Sequence, residues 1–192
     1  MSQDTQDITT NADFSQGGQY ALTADPADYR RVDIKTEKLS GRQRQIRAAV
    51  IIPCDLEQVW QILTDYENLA NFIPNLTASR LLPHPGGGIR LEQIGAQCFL
   101  NFKFCARVVL DMTERFPQEL GFSMIEGDFK KFIGRWLLRP AQVNGCAATL
   151  LAYEVVVQPP LAMPVQLIER HICHNLSENL VAVCDRATEQ FV

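Results

Sequence analysis

The stretch YEVVVQPPLAMPVQLIERHICHNLSENLVAVCDRA, Tyr153 to Ala187, changes its hydrophobic period part-way along. Up to Pro159-Pro160 the alternation of Thr149, Leu151, Tyr153 and Val155 with their neighbours is the period of two of a strand. Beyond it, Val165, Ile168, Ile172, Leu176, Leu180, Val183 and Ala187 recur at helical spacing as a single stripe, and Pro164 suits the first turn. The chain therefore ends on one long amphipathic helix, which needs an apolar sheet face of matching size.

Upstream, the period of two returns repeatedly. Ile46, Ala48, Val50 and Ile52 share one face of a first strand that begins at Arg44. Pro53 stops it; Asp55, with Gln58 three residues on, starts a helix carrying Leu56, Val59, Trp60 and Leu63. A second short helix is expected over Glu67 to Phe72. Six strands are then expected, at 76–82, 89–97, 101–115, 119–125, 131–142 and 146–157. Their connections carry turn residues, of which Asn144-Gly145 is the most specific as a type I′ hairpin pair. Sequential antiparallel pairing follows. Seven strands with one long helix to cover them imply a sheet curled around that helix, an α+β architecture with a gap between the concave face and the helix near the two short helices.

The segment EGDFKKFIGRWLLRP, Glu126 to Pro140, bears on what fills that gap. Phe132, Gly134, Trp136 and Leu138 fall on the inward face; Lys131, Ile133, Arg135, Leu137 and Arg139 fall on the other, where Lys131, Arg135 and Arg139 are expected to face water. The cations Lys131, Arg135 and Arg139 form a stripe read either as a solvated face that discourages edge pairing or as a peripheral contact with acidic lipid headgroups.

At 192 residues, 46% hydrophobic and 21% charged, the chain has the composition of one globular domain with a tail. Residues 1–30 have no strand or helical period, and residues 1–29 hold five aspartates and no Lys or Arg; they read as a flexible acidic tail before a domain over 31–192. No secretory leader is expected there. The net charge of -4 argues against nucleic acid as a partner. Six cysteines without a CxxC pair sit in apolar segments, expected as buried free thiols in a reducing, cytoplasmic-type compartment.

Three segments carry a resemblance: IIPCDLEQVWQILTDYENLANFIPNL with its VWxxLTDYxNLxxFIP core at Val59–Pro74, GDFxxFxGxW at Gly127–Trp136, and the C-terminal stretch quoted first. Over roughly residues 44 to 190 the chain resembles the polyketide cyclase/dehydrase and lipid-transport group of the START-like (Bet v 1-like, SRPBCC) superfamily, which includes coenzyme Q-binding proteins. The resemblance implies a helix-grip fold with an internal cavity for an apolar ligand; the acidic tail differs from the basic leader of organellar members, so a bacterial cytosolic setting is expected. It names no reaction, since carriers, sensors, cyclases and hydroxylases share this scaffold.

The residues themselves offer weak catalysts. His171 and His174 are three apart, but a zinc site needs three or four converging ligands, so no metal and no cofactor is expected. Asp65 is a candidate base at the cavity mouth, or a helix cap. Glu126 continues the inward phase of Leu120, Phe122 and Met124; there it would be desolvated and able to carry a proton, unless the strand ends first. The candidate ligand-contact set is apolar: Phe102, Phe104, Phe122, Met124, Phe132, Trp136 and Leu151, with Phe72 and Pro74 at the mouth and the Tyr153 hydroxyl as a polar handle. Binding of a lipid, isoprenoid quinone or polyketide-like molecule is the first reading. A cyclase or dehydratase acting in the same cavity, removing a proton with Glu126, Asp65 or a histidine, is the alternative, and a chaperone-like adaptor the third.

Overall fold

A computed structural model describes residues 20–22, 30–99 and 102–191. In chain order the elements are β1 (Tyr20–Leu22), β2 (Asp33–Lys38), β3 (Arg44–Ile52), α1 (Leu56–Thr64), a 3-10 turn at Leu69–Asn71, β4 (Leu76–Leu82), β5 (Ile89–Phe99), β6 (Phe102–Arg115), β7 (Glu119–Gly127), β8 (Lys131–Val143), β9 (Cys146–Gln158) and α2 (Val165–Phe191). The sheet order is β2-β3-β9-β8-β7-β6-β5-β4, antiparallel throughout, so the first long strand closes against the last and the intervening strands follow as a meander. This is the helix-grip α+β architecture.

The expected seven strands are all present, and the sheet gains two more among the described residues. β2 reads DIKTEK, with Ile34 its one half-buried side chain, so it has no apolar alternation to betray it. Backbone pairing to β3 from Asp33↔Ala49 to Lys38↔Arg44 holds it as an edge strand. β1 lies parallel to the end of β8, Tyr20↔Ala141 to Leu22↔Val143, where β8 runs on past its pairing with β7. The segment 1–30 thus contributes a strand at 20–22; residues 1–19 and 23–29 of the expected tail lie outside the described residues. The second helix shortens to the 3-10 turn.

The core lies between the inner sheet face and α2. Ile46, Ile52, Leu138, Leu151, Leu180 and Val183 have no exposure at all. Polar ties set α2 against the sheet: Arg44 Nε lies 2.8 Å from Glu169 Oε2, Asn75 Nδ2 donates to Glu178 Oε2 at 3.0 Å, and Arg42 donates to the carbonyls of Pro160 and Met163 ahead of the helix. At α1 the Asp55 N–H donates to Gln58 Oε1 at 2.9 Å, as the DLEQ spacing indicates.

The outer face departs from expectation. Leu137, in phase with Arg135 and Arg139, is buried together with Ala141, Val143, Ala49, Ala148, Leu150 and Ala152, so the cationic face is in part a second core. These residues cluster on the outer side of β3, β9 and the end of β8. Lys131 and Arg135 are exposed and Arg139 is half-buried. Arg135 is bound to the sheet itself, 2.9 Å from Glu154 and 3.9 Å from Glu119. The cysteines also divide: Cys54 and Cys184 are buried, Cys173 is half-buried, and Cys105 and Cys146 are exposed rather than buried, lying near strand ends. The Cys98 side chain lies outside the described residues.

Candidate functional site

Where β5 to β9 curve away from α2, they leave a cavity of about 200 Å³ joined to a neighbour of about 170 Å³; the two share Leu76, Gln93, Gly95, Val108, Phe132 and Asn175. The wall on the sheet side is aromatic. Phe122 on β7 stacks on Tyr153 of β9 with ring centres 5.5 Å apart, Trp136 of β8 meets Tyr153 edge-on at 4.5 Å, and Phe132 tilts against Phe122 at 5.5 Å. Their convergence follows from register, because Trp136 pairs with both Leu120 and Tyr153, and Phe122 pairs with Gly134. Gly134 is what lets the rings close over the strand: a Cβ there would overlap the Glu154 carbonyl oxygen and lie 2.6 Å from the Phe122 ring. The helix side contributes Leu176, Asn175 and Asn179, and the segment between α1 and β4 contributes Tyr66, Ile73, Pro74 and Asn75.

Of the expected contact residues, Phe122, Phe132, Trp136, Tyr153 and Pro74 line this space. Leu151 does not; opposite Val50 and Leu138 in the centre of the sheet it has no exposure and is pure core. Met124 packs against the core without lining either cavity. Phe72 belongs elsewhere, in a polar-edged hollow between α1 and the end of α2, where the Arg186 guanidinium sits 5.9 Å over its ring. The backbones of Phe102 and Phe104 belong to β6; their side chains lie outside the described residues.

Neither carboxylate candidate reaches the cavity. Glu126 points outward because β7 carries a bulge: Leu110 faces Met124 while Val109 faces Glu126, so Ile125 is the extra residue and the phase reverses after it. Its Oε1 lies 2.5 Å from Arg107 Nη1, and Arg107 Nε lies 2.7 Å from Glu92, an ion-pair row on the outer face of β5, β6 and β7. Asp65 is exposed and accepts from Asn68 Nδ2 at 2.9 Å within the turn after α1, at the rim of the hollow that holds Phe72.

Sequence reasoning weighed His171 as a metal ligand or a proton carrier but placed neither it nor Asn175 against the cavity. Asn175 borders both cavities and His171 the second, but both flank the apolar stripe, and side-chain type alone does not tell an inward flank from an outward one. Burial and the neighbouring His174 hold His171 below the usual histidine range, favouring the neutral ring. His174 is exposed, with Nε2 3.4 Å from Glu178. Tyr66, also unanticipated, lines the cavity while its hydroxyl donates to Glu114 Oε1 at 2.7 Å, and burial raises its phenol pKa.

The comparisons with known proteins agree with this geometry. Residues 52–181 match the family described as polyketide cyclase/dehydrase and lipid transport, more than half of the chain. The chain belongs to that family. Among solved structures, a START superfamily protein from Mycobacterium smegmatis superposes with a TM-score of 0.63 at 17% identity, over 76% of this chain and 97% of that one. The STAR-related lipid transfer protein from Xanthomonas axonopodis superposes with a TM-score of 0.63 at 14% identity, over 89% and 99%. The Zhui aromatase/cyclase of Streptomyces sp. R1128 also gives 0.63, at 13% identity over 78% and 96%. At these identities the likeness concerns the fold. Among curated proteins, the ribosome association toxin RatA of Escherichia coli K12 is 26% identical over 102 residues, which are 53% of this chain and 62% of that protein. The persistence and stress-resistance toxin PasT of E. coli O6:H1 is 28% identical over the same lengths. The match thus spans less than two thirds of these curated relatives. No helix among the described residues is long and apolar enough to cross a membrane.

Proposed function

We propose that this family member binds and carries a hydrophobic small molecule, of the lipid, isoprenoid quinone or polyketide-like class, in the cavity between α2 and the inner sheet face. The observation that carries this reading is the wall of Phe122, Phe132, Trp136 and Tyr153, completed by Leu120, Leu110 and Leu176, around a space left by an otherwise close-packed core. Transfer of apolar ligand surface from water onto such a wall is worth roughly 25 cal/mol per Å². A cyclase in the same cavity needs a proton carrier against its substrate. Glu126 paired with Arg107 on the outer face and Asp65 in the turn do not favour that role; His171 at the second cavity is the group that would serve it.

Protein purified gently from its native source, extracted with solvent and analysed by mass spectrometry, is expected to yield an apolar molecule at a substantial fraction of one per chain. Gly95→Leu is the decisive variant. A Cβ at Gly95, which borders both cavities, meets only the Asn75 and Ala106 carbonyl oxygens at 3.6 and 4.0 Å, so the added side chain can occupy ligand space without breaking the sheet. The variant should keep its melting temperature within a few degrees and lose the extractable molecule. A wild-type protein that is folded and yields nothing would overturn the reading.

The double change Glu126→Gln with Asp65→Asn is expected to leave ligand content unchanged, since neither side chain touches the cavity. A cyclase using either carboxylate would instead lose about 10²–10⁴-fold in turnover. Ligand loss in the double variant, with the fold intact by circular dichroism, would contradict the placement of these groups.

A further inference from the structure

We propose that the end of the molecule where α2 begins docks on a bilayer that carries anionic lipid, with Leu161 and Leu167 entering the headgroup layer and Lys38, Lys130, Lys131 and Arg170 meeting its phosphates. Three connections are tied together at this end. The turn between β7 and β8 is fixed to the end of β9 by the Lys130 N–H, which donates to the Gln158 carbonyl at 2.8 Å. The turn between β2 and β3 is fixed to the β9–α2 connection by Arg42, which donates to the Pro160 and Met163 carbonyls. Arg44, just beyond that turn, holds the start of α2 through Glu169.

The side chains these segments expose are of two kinds. Leu161 sits in a turn closed by the Met163 N–H on the Pro160 carbonyl at 3.1 Å. It is 84% exposed, more than any other large apolar side chain among the described residues. Leu167, at the start of α2, is exposed too, and Arg170, three residues on, shares its side of the helix. Lys38, Lys130, Lys131 and Arg170 are all exposed, and none forms an ion pair among the described residues. On the outer sheet face, by contrast, Arg107, Arg115 and Arg135 are bound to carboxylates. Glu169 is taken by Arg44, and the Asp128 side chain accepts from the Arg107 N–H, which leaves Glu37 beside Lys38. The end is therefore locally cationic on a chain whose net charge is -4.

This combination selects a bilayer. A nucleic acid would use the cations and gain nothing from a protruding leucine. A protein partner needs a broad complementary surface, whereas Leu161 stands out from a turn and lines no groove. A bilayer uses both kinds of group: leucine leaves water for the acyl boundary, and lysine ammoniums, which need no fixed partner geometry, meet fluid headgroups. The cation stripe of β8 is the poorer surface, because Arg135 is held by Glu154 and Glu119 and Arg139 is half-buried. Docking at this end would also serve the carrier reading, on which this one point rests. Phe129 of the β7–β8 turn and Ile168 of α2 line the second cavity, so the bound face would bring that cavity to the lipid phase.

The test is co-sedimentation of the full chain with vesicles of phosphatidylcholine, made with and without phosphatidylglycerol. Wild type is expected to bind the phosphatidylglycerol vesicles at least about 10-fold more tightly than the neutral ones, and less tightly as salt is raised. Leu161→Ser should weaken that binding about 10-fold, and Lys130→Gln with Arg170→Gln about 10–30-fold. Arg139→Gln should leave it unchanged. These three variants replace exposed side chains or, at Arg139, one on the opposite phase from the core, and circular dichroism checks that each is folded. Wild type that does not sediment with phosphatidylglycerol vesicles overturns the proposal. Full binding by Leu161→Ser would mean attraction of any polyanion, and equal retention of that variant on RNA would assign the cations to nucleic acid; either overturns it. A loss in Arg139→Gln as large as in the double variant would move the contact to the β8 stripe. Vesicle binding needs no occupied cavity, so its failure leaves the carrier reading standing, and a protein that yields no extractable molecule can still pass this test.

Discussion

Replacing Gly134 by leucine is expected to destabilise the protein by about 4 kcal/mol or more, and in the marginal range of natural stabilities that is enough to prevent folding. From the sequence, Gly134 looks like open space between Phe132 and Trp136 on the inward face, a place where extra volume would fill the cavity. The backbone forbids it. A Cβ at this position would run into the Glu154 carbonyl oxygen and come within 2.6 Å of the Phe122 ring and 2.9 Å of Val155 Cα. Both backbone atoms belong to β9, and β8 and β9 pair along their whole length from Lys131↔Gln158 to Val143↔Cys146. Relief therefore means separating two central strands or expelling Phe122. Chemical denaturation of Gly134→Ala, the milder change, should already show a large loss. A melting temperature for Gly134→Ala within a degree or two of wild type would mean that β8 and β9 are not as closely apposed as described.

Trp136→Ala comes next, with an expected loss of about 3 kcal/mol, the lower end of the range for large aromatic truncations. The ring is half-buried because one side borders the cavity, so less packing is lost than in a closed core; its edge contact with Tyr153 at 4.5 Å still goes. On the opposite face Arg135→Ala is expected to cost about 1 kcal/mol. A value near zero would suit a solvated cation, but Arg135 lies 2.9 Å from Glu154, whose side chain is 14% exposed and would be left with Arg47 at 3.5 Å. Urea titration of the two variants separates the faces. Equal losses would place β8 one residue out of register, since such a slip exchanges every side chain between the two faces.

Phe122 is legible from alternation alone, and the structure places it against Tyr153 and over Gly134. Alternation located every strand from β3 to β9. It failed for β2, which pairs through its backbone and has nothing to alternate, and for the outer cluster around Leu137, where apolar and cationic residues share one phase. It also failed past Met124, because a single bulged residue reverses the phase and turns Glu126 outward to Arg107. Bulges are set by the pairing of two strands and leave no reliable mark in either one.

What the sequence by itself determined was the architecture: one helical stripe, a run of alternating strands with hairpin turns, and hence a sheet that must grip a helix. Local periodicity carries that information because burial of one face is a property of each element. The tertiary structure alone decided the site. Which aromatics meet a void and which, like Leu151, meet neighbours on all sides depends on how far the curved sheet stands off α2, a distance set by the summed packing of many elements. Asn175 shows the difference most clearly: on the helix it is one polar residue beside an apolar stripe, and only the sheet opposite makes it part of the wall of both cavities.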